Sequence, residues 1–150
     1  MTWAELSGDL STWTIPAGRA KNGATNIVPL SAPAQDLLRS APRFGELVFG
    51  PFNSWSKAKA ALDAKSGVTN WRLHDLRRTA ATGLQRLGVR LEVTEQVLNH
   101  VSGSRAGIVG VYQRHDFASE KRSALDAWGA HVLAIVEGRA AMGNVVTLRA

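Results

Sequence analysis

The chain contains no cysteine, so disulfide cross-links and thiolate metal sites are excluded, and nothing favours an oxidising compartment over the cytoplasm. No apolar run approaches the roughly 20 residues that span a bilayer, and the first ten residues carry Glu5 and Asp9 where a secretion signal would carry cations. A cytoplasmic, unprocessed protein with no membrane partner is therefore expected. Internal repeats, low-complexity tracts and an obvious interdomain linker are also missing. The four histidines, His74, His100, His115 and His131, form no H-E-x-x-H or comparable cluster, so no metal is expected. Gly103, Gly107 and Gly110 match neither G-x-x-x-x-G-K-[ST] nor G-x-G-x-x-G and read as flexibility rather than a nucleotide cradle.

What remains is a basic chain of ordinary hydrophobicity. With 150 residues, 45% of them apolar, it can close one core without staples. Eighteen Lys and Arg stand against twelve Asp and Glu, giving a net charge of +6, which suits a polyanionic partner such as nucleic acid. The excess is central: residues 71–122 hold nine Lys/Arg and five Asp/Glu, whereas 123–150 balances.

Residues 3–6, 11–15 and 26–30 read as three short strands of a small antiparallel sheet, with Asn22-Gly23 as the turn pair before the last and Lys21 beside it. Helices follow. Ser31 caps one that Ala41-Pro42 stops near residue 40, and Ser54 caps a second that ends at Gly67 and exposes Lys57 and Lys59. Leu76, Ala80, Leu84 and Leu87 form the apolar stripe of a third helix, closed by Gly88, with Arg78, Thr82, Gln85 and Arg86 on its polar face. A short helix over about 91–98 leads to a loop containing Arg105 and then Tyr112. A last helix is expected to be capped by Ser119 and striped by Leu125, Trp128, Val132 and Ile135. The pattern is lost beyond Gly138, so residues 1–137 read as the domain and 138–150 as a tail.

Chemistry concentrates in three places. His74 and Arg77, three apart at a helix start, can point to one side of the first turn and grip a phosphate. Arginine's planar fork suits two phosphate oxygens at once. Leu98-Asn99-His100 follows, and then Tyr112 in V-Y-Q-R-H, with His115 three residues further on nearly the same helical face. Each of these alone also fits a plainer role: a capping His74 and a solvated Arg77, a helix-end His100, a core Tyr112 and a solvated His115.

Taken in order, HDLRRTAATGL, LNH and GVYQRH resemble the tyrosine recombinases of the phage-integrase type. W-A-E-L, W-T-I-P, K-N-G and V-P-L-S are similar to that family's amino-terminal sheet, so the likeness covers about residues 3–137. It implies an α+β, mainly helical fold, with a small three-stranded antiparallel sheet followed by a helical bundle. It also implies that Tyr112 is the nucleophile and Lys21, His74, Arg77 and His100 its catalytic partners. A free tyrosine titrates near pH 10, so its proton must be removed and the charge of the transition state held. The resemblance implies that Arg77 and His100 hold the non-bridging oxygens, His74 accepts the tyrosine proton, and Lys21 protonates the leaving 5′-oxygen. The 3′-phosphotyrosyl product conserves bond energy, so neither metal nor nucleotide cofactor is called for. The partner implied is double-stranded DNA rather than a small molecule. Arg78, Lys57, Lys59 and Arg105 are the expected backbone contacts, and the helix over 118–137 is a candidate contact to other protomers.

Two features depart from the family. Its other essential arginine, in a G-x-R-x-x-E-like segment ahead of the first strand, has no counterpart here, and Arg19, which follows the second strand, is not an equivalent. The amino-terminal core-binding domain is also lacking, and Asn99 stands where glycine is commoner. The expectations are therefore a strand-exchanging domain of impaired activity or a non-catalytic DNA-binding remnant of an integrase. A type IB topoisomerase shares the tyrosine chemistry, but K-N-G, LNH and V-Y-Q-R-H favour the integrase type.

Overall fold

The computed structural model of the protein describes residues 1–50, 54–100 and 117–139. Within these residues the fold is mixed α/β and predominantly helical, with one two-stranded antiparallel sheet. Strand β1 (Thr12–Ile15) pairs with β2 (Asn26–Pro29), Thr12 opposite Pro29 and Ile15 opposite Asn26. The segment between them begins with a 3₁₀ turn, Ala17–Arg19, and passes Gly23 at φ +67°, so Lys21 stands on the connection.

The expected third strand is not formed. Residues Trp3–Glu5 make a 3₁₀ turn, flanked by single bridges from Thr2 to Leu47 and from Leu6 to Trp13. The cause is local. The Glu5 carboxylate reaches back to accept the Thr2 backbone N–H at 3.0 Å, which closes the turn and prevents an extended ladder.

Five helices follow among the described residues. Helix α1 (Ala32–Ser40) starts after Ser31, whose side chain makes no capping hydrogen bond, and stops at Ala41, held extended ahead of Pro42. Helix α2 (Trp55–Ser66) ends on Gly67 in the left-handed region and buries no residue. Helix α3 (Leu73–Arg86) ends before Gly88 at φ +79°, and α4 is Leu91–Val97. Helix α5 (Ala118–Val136) begins two residues earlier than a helix capped by Ser119 would. Phe117, with φ +52°, occupies the N-cap position, and the Ser119 hydroxyl bonds Glu120 instead.

The expected stripes hold in part: Ala80 and Leu84 on α3 and Leu125 and Trp128 on α5 face inward, whereas Leu76, Leu87, Val132 and Ile135 are exposed. On α3, Leu76 is 57% exposed, and the inward face is Arg77, Ala80, Ala81 and Leu84, which is the i, i+3, i+4, i+7 set counted from Arg77. On α5, Leu125 and Trp128 are half-buried, but Ile135 is 62% exposed, and the fully buried residues are Lys121, Ala124 and Gly129.

Helix α5 joins two apolar clusters. One gathers Leu10, Leu30, Leu38 and Val48, packed by Met1, Trp3, Leu6, Trp13 and Ala34. The other gathers Leu84, Val93 and Ala124, packed by Val89, Val97, Phe117 and Trp128. Gly129 presses on Ser31, where an added Cβ would lie 2.7 Å from the serine Cβ. Gly83 lies beneath the Trp128 ring, where an added Cβ would overlap the ring carbons. Both approaches need glycine.

Candidate phosphate-binding cleft

The cleft is assembled from five stretches of the chain. Its walls include Trp13 and Ile15 of β1, Arg19 and Lys21 of the connection, Asn26 and Val28 of β2, His74 and Arg77 of α3, and the segment after α4 through His100. The enclosed space is about 600 Å³. Lys21, His74, Arg77 and His100, four of the residues named from the sequence, thus border one cavity. Tyr112 and Arg105 lie outside the described residues, as does His115.

The first turn of α3 is fixed by Asp75. Its carboxylate accepts the Arg72 backbone N–H at 2.8 Å and pairs with Arg78 at 3.1 Å. The Arg72 N–H is the main reason the Asp75 carboxyl sits below the usual carboxylate range; partial desolvation opposes this, and the Arg78 and Arg72 charges reinforce it. His74 and Arg77 thereby leave a fixed turn on the side facing the cleft. Arg77 belongs to the inward face, and its guanidinium donates to the Leu98 carbonyl at the end of α4. That bond uses one of five N–H donors and steers the group. No carboxylate pairs with Arg77 among the described residues, so its charge is available to an anion.

His100 follows Asn99, whose φ of +52° is a conformation that asparagine and glycine adopt most readily. This accounts physically for Asn99 where glycine was expected. The His100 backbone N–H donates to the Glu95 carbonyl at 2.9 Å, and its Nδ1 lies 3.8 Å from a Glu95 carboxylate oxygen. The Asn99 side chain in turn accepts a hydrogen bond of 3.0 Å from Asn22, next to Lys21. The lysine-bearing connection and the histidine-bearing loop are thus tied together across 77 residues of sequence.

Lys21 itself is exposed. Arg19 also borders the cleft and is paired with Glu5, a group the sequence offered no reason to select. Partial burial pushes the Glu5 carboxyl up, but the Thr2 N–H, the Trp13 indole and Arg19 together outweigh it and leave the group below its ordinary value.

The four expected backbone-contacting cations fare differently. Lys57 is exposed on α2, and Arg78 is exposed but paired with Asp75. Lys59 is not the free surface cation expected: its ammonium bonds Asp63 at 2.7 Å and sits 4.7 Å from the centre of the Trp71 ring. The nearby Asp63 is what claims it. Two further members of the central basic excess are internal ties. Lys121 is buried and donates to the Asn26 side chain at 3.1 Å and to the Ile27 carbonyl, and Arg122 donates to the Ser11 carbonyl at 3.0 Å. Their charge anchors α5 to the hairpin and does not face a ligand.

Among the described residues no helix is long and apolar enough to cross a membrane, and no group of three or more His, Asp or Glu is arranged to hold a metal ion. No family model matches the chain, and no curated protein or solved structure matches it.

Proposed function

We propose that the cleft takes a phosphodiester of double-stranded DNA and that the chain is a strand-exchanging domain of the tyrosine recombinase type. The observation that carries this reading is the convergence of Lys21, His74, Arg77 and His100 on one cavity from positions far apart in the sequence. A basic amine, two imidazoles and a carboxylate-free guanidinium suit a phosphate and the charge it gains under attack. In this reading Arg77 and His100 hold the non-bridging oxygens, His74 accepts the proton of Tyr112, and Lys21 protonates the departing 5′-oxygen. Tyr112 forms a 3′-phosphotyrosyl bond as the 5′-oxygen leaves, and a second 5′-hydroxyl reverses the step. Arg77 is already steered by Leu98, so its guanidinium has little conformational freedom to lose on binding, and the connection that carries Lys21 is tied to Asn99.

The alternative is a DNA-binding remnant that uses the same cleft without chemistry. Incubation of the chain with a pool of nicked duplexes of randomised sequence, followed by denaturing separation, distinguishes the two. The recombinase reading predicts a weak covalent adduct that disappears in Tyr112→Phe. An adduct that survives Tyr112→Phe contradicts the assignment of Tyr112, and duplex binding with no adduct under any condition favours the remnant.

A further inference from the structure

Arg19 borders the same cleft as Lys21, His74, Arg77 and His100, and its guanidinium is paired with Glu5. The carboxylate it pairs with, Glu5, has a side chain only 11% exposed, whereas that of Arg19 is 48% exposed. One Glu5 oxygen accepts the Thr2 N–H at 3.0 Å and the Trp13 indole N–H at 3.1 Å, and the other accepts Arg19. Glu5 is therefore held by two donors besides the arginine itself. The backbone beneath Arg19 is fixed as well, because its N–H donates to the Pro16 carbonyl at 2.9 Å and Ala20 closes the 3₁₀ turn at 3.2 Å. A guanidinium has five N–H donors in a planar fork. Glu5 engages one edge, and no second carboxylate claims the rest among the described residues. The result is an arginine held at one edge by Glu5, with about half of its side chain exposed, two residues before Lys21.

A phosphodiester carries two non-bridging oxygens, each able to accept more than one hydrogen bond, so guanidinium groups approaching from different walls can both bind it beside His100. Arg77 approaches from α3 and Arg19 from the hairpin connection. We infer that Arg19 is a second phosphate-binding arginine of this cleft, oriented by Glu5 and acting with Arg77 on the DNA backbone. This rests on the reading of the cleft as a DNA phosphate site.

The test is duplex affinity measured against salt for the chain itself and for Arg19→Ala, Arg19→Lys and Arg77→Ala. Removing one phosphate-binding cation flattens the plot of log affinity against log salt by about 0.9. The inference predicts that flattening for Arg19→Ala, and a slope close to that of the unaltered chain for Arg19→Lys, which keeps the charge. If Arg77→Ala flattens the slope and Arg19→Ala does not, the inference is overturned while the reading of the cleft stands. Equal flattening by Arg19→Ala and Arg19→Lys also overturns it, because Arg19 then acts through the turn it helps to hold. If the chain binds no duplex, or Arg77→Ala leaves the slope unchanged, the reading of the cleft fails and the inference falls with it.

Discussion

The two walls of the cleft are held by different physics. The hairpin side, from Met1 to Val48, builds its cluster largely from turns and strand ends and closes those turns with carboxylates: Glu5 on Thr2, Trp13 and Arg19, and Asp9 on Ser7 and Ser11. Arg43 adds a cation 4.5 Å from the centre of the Trp3 ring. The helical side relies on close approach, with Leu84 fully buried and Trp128 lying against Gly83. Arg19 and Lys21 therefore stand on a frame closed mainly by carboxylates, whereas His74, Arg77 and His100 stand on one held mainly by close packing, with Asp75 closing the first turn of α3. Helix α5 couples the two, through Lys121, Arg122 and Gly129 on one side and Ala124 and Trp128 on the other.

The largest effect should come from adding volume to the helical side. Gly83→Ala drives a methyl into the Trp128 ring, and overpacking of this kind costs about 1–3 kcal/mol, read as a lower denaturant midpoint. An unchanged midpoint would show that Trp128 does not hold α3 against α5. Next comes the coupling itself. Lys121→Met removes the hydrogen bonds to Asn26 and Ile27 and leaves the buried Asn26 oxygen without its donor, a loss of about 1–2 kcal/mol. Amide exchange should then accelerate in β2 more than in α3, and equal acceleration would contradict the division into two sides. The smallest effect is on acid stability of the hairpin side. Hydrogen bonds from Ser7 and then Ser11 hold the exposed Asp9 at a pKa of about 2, below its ordinary 3.8. A depressed folded-state pKa means that Asp9 contributes stability above the ordinary carboxylate range and loses it as pH falls through about 2. The difference in stability between the chain and Asp9→Ala should be constant near neutrality and shrink towards pH 2, and a difference independent of pH would remove Asp9 from the frame.

Helix ends were legible from the residues that stop them: Ala41-Pro42, Gly67 and Gly88 each stop a helix where composition places the stop. Residues 3–6 were not, because tryptophan and leucine favour a strand while the decisive bond, from the Thr2 N–H to Glu5, depends on a side chain turning back on its own backbone. The α3 stripe was legible at Ala80 and Leu84, which do face inward, but not at Leu76 and Leu87, because Arg77 and Ala81 take the neighbouring inward positions that apolar counting gave to leucine. Composition likewise counts Lys59 and Lys121 as surface charge, since nothing local announces Asp63, Trp71 or Asn26 as their partners. In the site, the i, i+3 spacing of His74 and Arg77 could be read directly. The tie between Asn22 and Asn99 could not, because it spans 77 residues and exists only once the two walls meet.

The central claim is that the two walls act on one phosphate, and a double-mutant cycle tests it most directly. Duplex affinity is measured for the chain, Lys21→Ala, Arg77→Ala and the double variant at one fixed salt concentration. Groups that share a partner show coupling of at least about 0.5 kcal/mol, whereas independent sites add within about 0.3–0.5 kcal/mol. The double variant should depart from the sum of the single losses by more than about 0.5 kcal/mol. Strict additivity, with each residue weakening binding on its own, would contradict a shared phosphate.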